Sequence, residues 1–219
     1  MLDARARTLL TPTLDRVGAR IADAGVPALA LTASGWIAGI AACVAVVSHA
    51  WTAALLLWLL NRLLDGLDGP VARRRGATDL GGLLDIVADF SVYGGFVLAV
   101  AIAEPQARLA CVALLTAYYV SGTAFLALSS ISARRGVIGH DGRSLRFVGG
   151  LAEGAETIVV YVVICLIPGQ AALIAWIFTV AVAVTAVQRV CMGIAALRRP
   201  SPDVEAPAPR NASAVGRRS

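Results

Sequence analysis

Lysine is missing from this chain of 219 residues, and all 19 basic residues are arginine, a usage that reflects genomic composition rather than chemistry. Charge of any kind is scarce. Only 15% of residues are charged, against 58% hydrophobic, and the mean hydropathy is +0.76. A soluble domain of this size needs a more polar surface, so the excess apolar content must face lipid or an unusually large partner. Histidine is limited to His49 and His140, far apart in the sequence, which argues against a histidine metal site. The four cysteines, Cys43, Cys111, Cys165 and Cys191, each stand alone in an apolar stretch without CxxC spacing, as small hydrophobes do. The net charge of +5 is not gathered into a basic stripe, so nucleic acid is not an expected partner.

What is present is a series of apolar runs long enough to cross a bilayer, for which about 20 residues suffice. The expected spans are Pro27 to Ser48, a second from Trp51 that continues into NRLLDGLDGPVARRRG, Asp79 to Ala103, Arg108 to Ser130, Val148 to Ile167, and Ala171 to Ala196. The fold class expected is therefore all-α, with six transmembrane helices. Ahead of them, acids and arginines recur through residues 1–25. With Leu10, Leu14, Val17 and Ile21 at helical spacing, that segment reads as an amphipathic surface helix rather than a signal peptide. Residues 26–199 form the membrane domain, and the proline-rich residues 200–219 are expected to be a disordered tail.

Six spans put both termini on one side, and the arginines select it. Thirteen of them, from Arg5, Arg7, Arg16 and Arg20 through Arg73–Arg75 and the loop Arg134, Arg135, Arg143 and Arg146 to Arg198 and Arg199, fall in regions that alternate with connections holding only Arg108. The positive-inside rule places those regions in the cytoplasm and the chain in the inner (plasma) membrane.

Four carboxylates interrupt the second and third spans near their cytoplasmic ends: Asp65 and Asp68 on one, Asp85 and Asp89 on the other. Ionisable groups at membrane depth are costly and mark functional sites. Spacings of three and four keep each pair on one helical face, so the pairs converge across a short turn. With nothing to neutralise them they would repel, and hard oxygen ligands suit Mg2+ or Mn2+. Two such ions roughly 3.5–4 Å apart can hold a diphosphate and orient an attacking hydroxyl. An aspartate-based ion-coupled transporter is the rival reading, but it requires polar groups at mid-membrane in several spans, and the first, fourth and sixth carry few.

From Asp65 to Asp89 the chain reads DGLDGPVARRRGATDLGGLLDIVAD, which resembles the signature of the CDP-alcohol phosphatidyltransferases. Asp65, Asp68, Gly69, Ala72 and Arg73 match its first half, and Gly81, Asp85 and Asp89 its second. Seven residues, Arg74 to Leu80, separate the halves where the family pattern has eight, and the start of the first span reads VPALALT in place of a proline-asparagine pair before the threonine. The resemblance implies that Asp65, Asp68 and Asp85 ligate a pair of divalent ions, with Asp89 as a further ligand or as the base for the acceptor hydroxyl. It also implies that Gly69, Ala72, Arg73 and Gly81 surround the cytidine diphosphate. Arg73 can offer a planar fork to phosphate oxygens, whereas Arg74 and Arg75 are expected to enforce topology or meet anionic headgroups.

The reaction so implied is attack by an alcohol on the lipid-attached phosphorus of CDP-diacylglycerol, forming a phospholipid and releasing CMP. Family members commonly form homodimers. The acceptor expected is glycerol 3-phosphate, with inositol, inositol phosphate, serine and choline as alternatives. Arg134, Arg135, Arg143 and Arg146 supply charge for a phosphorylated acceptor, and Glu153 and Glu156, near the cytoplasmic end of the fifth span, could hold its hydroxyls. Tags fused to either terminus are expected to be protected in sealed cells. Labelling of either from outside would defeat the topology.

Overall fold

The computed structural model describes residues 2–134 and 154–198; of these, the side chains of residues 2–9, 132–134, 196 and 197 are not described. Arg135, Arg143, Arg146, Glu153 and the tail 200–219 lie outside the described residues, as does the side chain of Arg134. The described chain is all-α: α1 (Leu2–Asp23), α2 (Ala28–Val47), α3 (Trp51–Arg75), α4 (Asp79–Ala103), α5 (Arg108–Arg134), α6 (Gly154–Leu166) and α7 (Ala171–Leu197), with 3-10 turns at Pro105–Ala107 and Pro168–Gln170.

Among the described residues, four segments are long and apolar enough to cross a membrane: Ala28–Val47, Asp79–Ala103, Pro105–Ile131 and Pro168–Ala195. Only about a third of each is buried, and the outward positions carry Ile37, Val44, Leu98, Leu109, Ile177 and Val187. In water those faces would be a severe liability; in a bilayer they are the expected solvent contact, and the chain is a multi-pass membrane protein. The other two expected spans do not meet the same criterion. α3 is long enough at 25 residues, but Arg62, Asp65, Asp68 and Arg73–Arg75 break its hydropathy. α6 is apolar, but its 13 described residues rise about 20 Å, short of the roughly 30 Å core.

Small residues set how closely the first helices approach. On α2, Gly35 and Gly39 are four apart and face different neighbours. A Cβ on Gly35 would stand 3.3 Å from Leu64 Cβ of α3, and one on Gly39 would stand 2.6 Å from Val92 Cγ2 of α4. This is the small-xxx-small device by which membrane helices gain contact without a hydrophobic driving force. The turn between α3 and α4 is Gly76–Thr78, which lies within the shortened segment Arg74–Leu80. Gly76 has φ +99°, open to glycine, and Thr78 caps α4 by accepting a bond from the Gly81 N–H at 3.1 Å. The missing residue is absorbed there, outside both aspartate pairs.

The N-terminal helix presents a different face from the expected one. Gly18 and Ala22 are buried and Leu14 and Ile21 half-buried, while Leu10 and Val17 are exposed. The contact is made at the C-terminal half of α3, where a Cβ on Gly18 would meet Pro70 Cβ at 2.6 Å and Leu14 lies over Gly66. Gly39→Val forces a branched side chain into the buried, equally rigid Val92. We expect a loss of about 1–3 kcal/mol, read as a lowered unfolding temperature in detergent, and an unchanged one would refute this packing.

Candidate metal and nucleotide site

The α3–turn–α4 hairpin brings the two aspartate pairs together. Asp65, Asp68 and Asp85 each offer a carboxylate oxygen, and these atoms lie within 4.8 Å of one another. Asp68 is buried, Asp65 and Asp85 half-buried. Three acidic oxygens at this separation could hold a hard divalent cation, and the donor set contains no sulfur or imidazole to favour a softer one. Asp89 stands outside that group. Its Oδ1 accepts a hydrogen bond from Arg62 Nη2 at 2.9 Å.

That bond corrects the reading of four carboxylates with nothing to neutralise them. Arg62, one helical turn before Asp65, places a buried guanidinium inside the acidic cluster. Nη1 donates to Tyr93 Oη at 2.7 Å and reaches Asp65 Oδ2 at 3.4 Å, and Nε donates to Asn61 Oδ1 at 2.7 Å. Asn61 in turn donates to the Gly35 carbonyl at 2.8 Å. The sequence carried a signal for this residue, since an arginine inside an apolar run demands a partner.

The second partner missed by sequence reasoning is Thr32 on α2, whose hydroxyl donates to Asp68 Oδ2 at 2.7 Å. A polar contact from this helix therefore exists although Ala28 and Leu29 offer none. Beside the carboxylates lies a cleft of about 360 Å³, lined among others by Thr32, Asp68, Gly69, Ala72, Gly81 and Asp85. It falls in the range of about 300–1,000 Å³ usual for small-molecule sites. A larger cavity of about 570 Å³, between α4, α5 and α7, is mostly apolar and touches none of the four aspartates. Asp68 and Asp85 line the smaller one.

Gly69, Ala72 and Gly81 all line this cleft. Arg73 is not among its lining residues. Its guanidinium stands beside Gly69, and Nη2 donates to Asp15 of α1 at 2.8 Å. Arg74 pairs with Asp23 at 3.0 Å, and Arg75, which does line the cleft, donates to the Ala22 carbonyl at 3.1 Å. All three arginines therefore clasp α1, a role beyond enforcing topology or meeting headgroups. The two ion pairs are half-exposed, so each contributes about 0–1 kcal/mol. Glu156 stands half-buried in the first turn of α6, and Arg134 ends α5.

Fold and site together define a multi-pass membrane protein with an acidic, cation-suited centre opening on a nucleotide-sized cleft. The family model for CDP-alcohol phosphatidyltransferase matches residues 26–188, and the chain belongs to that family. It is 39% identical over 204 residues to the inner membrane protein YnjF of Escherichia coli (strain K12), covering 90% of this chain and 98% of that protein. Among solved structures, the phosphatidylinositol phosphate synthase PgsA1 of Mycobacterium tuberculosis with CDP-DAG bound superposes with a TM-score of 0.64 at 22% identity, covering 82% of this chain and 92% of that one. The same synthase in complex with manganese and citrate gives 0.63 at 23%, covering 83% and 88%. At that identity the likeness is one of fold. The chain is an enzyme of this family, and its chemistry is transfer of a phosphatidyl group from CDP-diacylglycerol to an alcohol.

Proposed function

We propose that the enzyme passes the phosphatidyl group to inositol phosphate, in place of the glycerol 3-phosphate expected from the sequence. The observation that carries the chemistry is the set of three carboxylate oxygens within 4.8 Å of one another at the edge of the cleft. What supports this acceptor is the fold shared with two structures of a phosphatidylinositol phosphate synthase. Both candidates are phosphorylated alcohols, so the charge of Arg134, Arg135, Arg143 and Arg146 suits either, and Glu153 and Glu156 favour the more hydroxyl-rich one.

In this reading Asp65, Asp68 and Asp85 hold a pair of Mg2+ or Mn2+ ions. When bound, these supply positive charge to the diphosphate oxygens and to the attacking alkoxide. Gly69, Ala72 and Gly81 leave room for the cytidine and its phosphates, and Arg73, which stands beside Gly69, reaches them by exchanging Asp15 for a phosphate oxygen. The acceptor hydroxyl gives its proton to Asp89 as its oxygen bonds to the diacylglycerol-bearing phosphorus, and the bond from that phosphorus to CMP breaks. Arg62 holds Asp89 Oδ1, which fixes the direction of the carboxylate.

The proposal extends to the setting. α3 and α6 complete six spans, with both termini and the site on the cytoplasmic side. The inner membrane location follows the relative's. Residues 1–25, 26–199 and 200–219 serve as surface helix, catalytic domain and tail, and the working unit is a homodimer.

Purified protein with CDP-diacylglycerol and Mn2+ is expected to release CMP fastest with inositol phosphate in a panel that includes glycerol 3-phosphate, inositol, serine and choline. Asp89→Asn should slow single-turnover release by roughly 10²–10⁴-fold with donor binding kept. Faster release with glycerol 3-phosphate would overturn the acceptor, and no release with any alcohol would overturn the donor.

A further inference from the structure

A buried arginine in a membrane helix must be stabilised by more than one carboxylate, and Arg62 is held from every side. Its side chain is 6% exposed, whereas Asp65 and Asp89, to which it bonds, are 32% and 30% exposed. Its guanidinium carbon lies 4.8 Å from the ring centres of both Trp58 and Tyr93, so the aromatic pair forms a shelf for the cation. Trp58 is fully buried and donates to the Ile158 carbonyl of α6 at 3.4 Å, and the Tyr93 hydroxyl accepts from the arginine itself. With Nε on Asn61, and Asn61 on the α2 backbone, the fork has a fixed plane as well as a fixed place.

From this geometry we propose that Arg62 is a positioning residue that divides the four acids by role. It takes Asp89 out of the ion cage, and it lends one positive charge to the cluster before any ion enters. The proposal rests on the reading of Asp65, Asp68 and Asp85 as ligands, but not on the acceptor.

Two consequences separate this role from simple packing. A cation beside an ion site opposes ion entry. Counted with every acid ionised, four carboxylates and one guanidinium leave three net negative charges. Arg62→Met leaves four, so Mn2+ should bind at least about tenfold more tightly at low ionic strength, since charges several ångströms apart in a partly dry site interact strongly. Arg62→Met with Asp89→Asn restores three charges, and the affinity should return to within about threefold of the parent. Arg62→Lys keeps the charge but not the fork. One ammonium cannot serve Asp65, Asp89, Asn61 and Tyr93 together, so affinity should hold while single-turnover CMP release falls by at least about tenfold.

The test is Mn2+ titration of chelator-stripped full-length protein in detergent, with unfolding temperature followed in parallel. Mn2+ binding does not involve nucleotide or alcohol, so its outcome is distinct from failure of the acceptor assignment. Weaker or unchanged Mn2+ binding in folded Arg62→Met would overturn the proposal, as would parental turnover in Arg62→Lys. If Arg62→Met does not fold, Arg62→Lys decides alone. If neither folds at saturating Mn2+, Arg62 is a packing residue and the proposal falls.

Discussion

Carboxylates drawn together where water is scarce repel one another, and the end of the bundle that carries the α3–α4 turn is arranged around that repulsion. Asp65 and Asp68 sit one turn apart on α3, and Asp85 faces them from α4 with oxygens within 4.8 Å. Three devices make the approach tolerable. Thr32 donates to Asp68, Arg62 bonds Asp89 and reaches Asp65, and the triad itself has the geometry and hardness to take up divalent cations. Breaking a buried charge arrangement of this kind by removing one partner costs far more than its net worth, because the remaining charges are left uncompensated.

Packing elsewhere serves the same end. Gly35 and Gly39 let α2 lie close enough to α3 and α4 for Thr32 to reach across to Asp68 and for Asn61 to fasten onto the α2 backbone. The aromatic cluster of Trp58, Tyr93, Phe96 and Tyr161 fills the level just deeper in the bundle, and the Tyr161 hydroxyl donates to the Tyr93 carbonyl at 2.9 Å. A cation–π shelf and a packed core are here the same residues. Nearer the α3–α4 turn, Arg73, Arg74 and Arg75 bind α1 down over α3, so α1 roofs the end of the hairpin that carries the motif.

Much of this could be read from the chain before any coordinates. The bounds of α2, α4 and α7 follow from apolar runs within a residue or two, and the spacings within DGLDG and LLDIVAD set which acids share a face. Family membership was legible in the same 25 residues. Arg62 was not singled out, because a hydropathy reading treats a charge in a span as noise and the motif pattern starts three residues later. Thr32 escaped for another reason: its partner lies 36 residues away, and nothing local distinguishes a threonine that bonds its own helix from one that reaches a neighbour. The pairing of Arg73 and Arg74 with Asp15 and Asp23 was hidden in the same way, since the sequence showed charges on a surface helix but not what they faced.

The central claim is that the four aspartates are not equivalent: Asp65, Asp68 and Asp85 form the ion cage, and Asp89 belongs to Arg62. Mn2+ affinity of the chelator-stripped protein, compared between Asp85→Asn and Asp89→Asn, tests this most directly. Loss of a cage ligand removes a bond to the ion as well as a charge and should weaken binding by at least about a hundredfold, whereas loss of the Arg62-held carboxylate removes only a neighbouring, already paired charge and should cost severalfold less. Equal losses in the two variants would place Asp89 among the ligands and contradict the account.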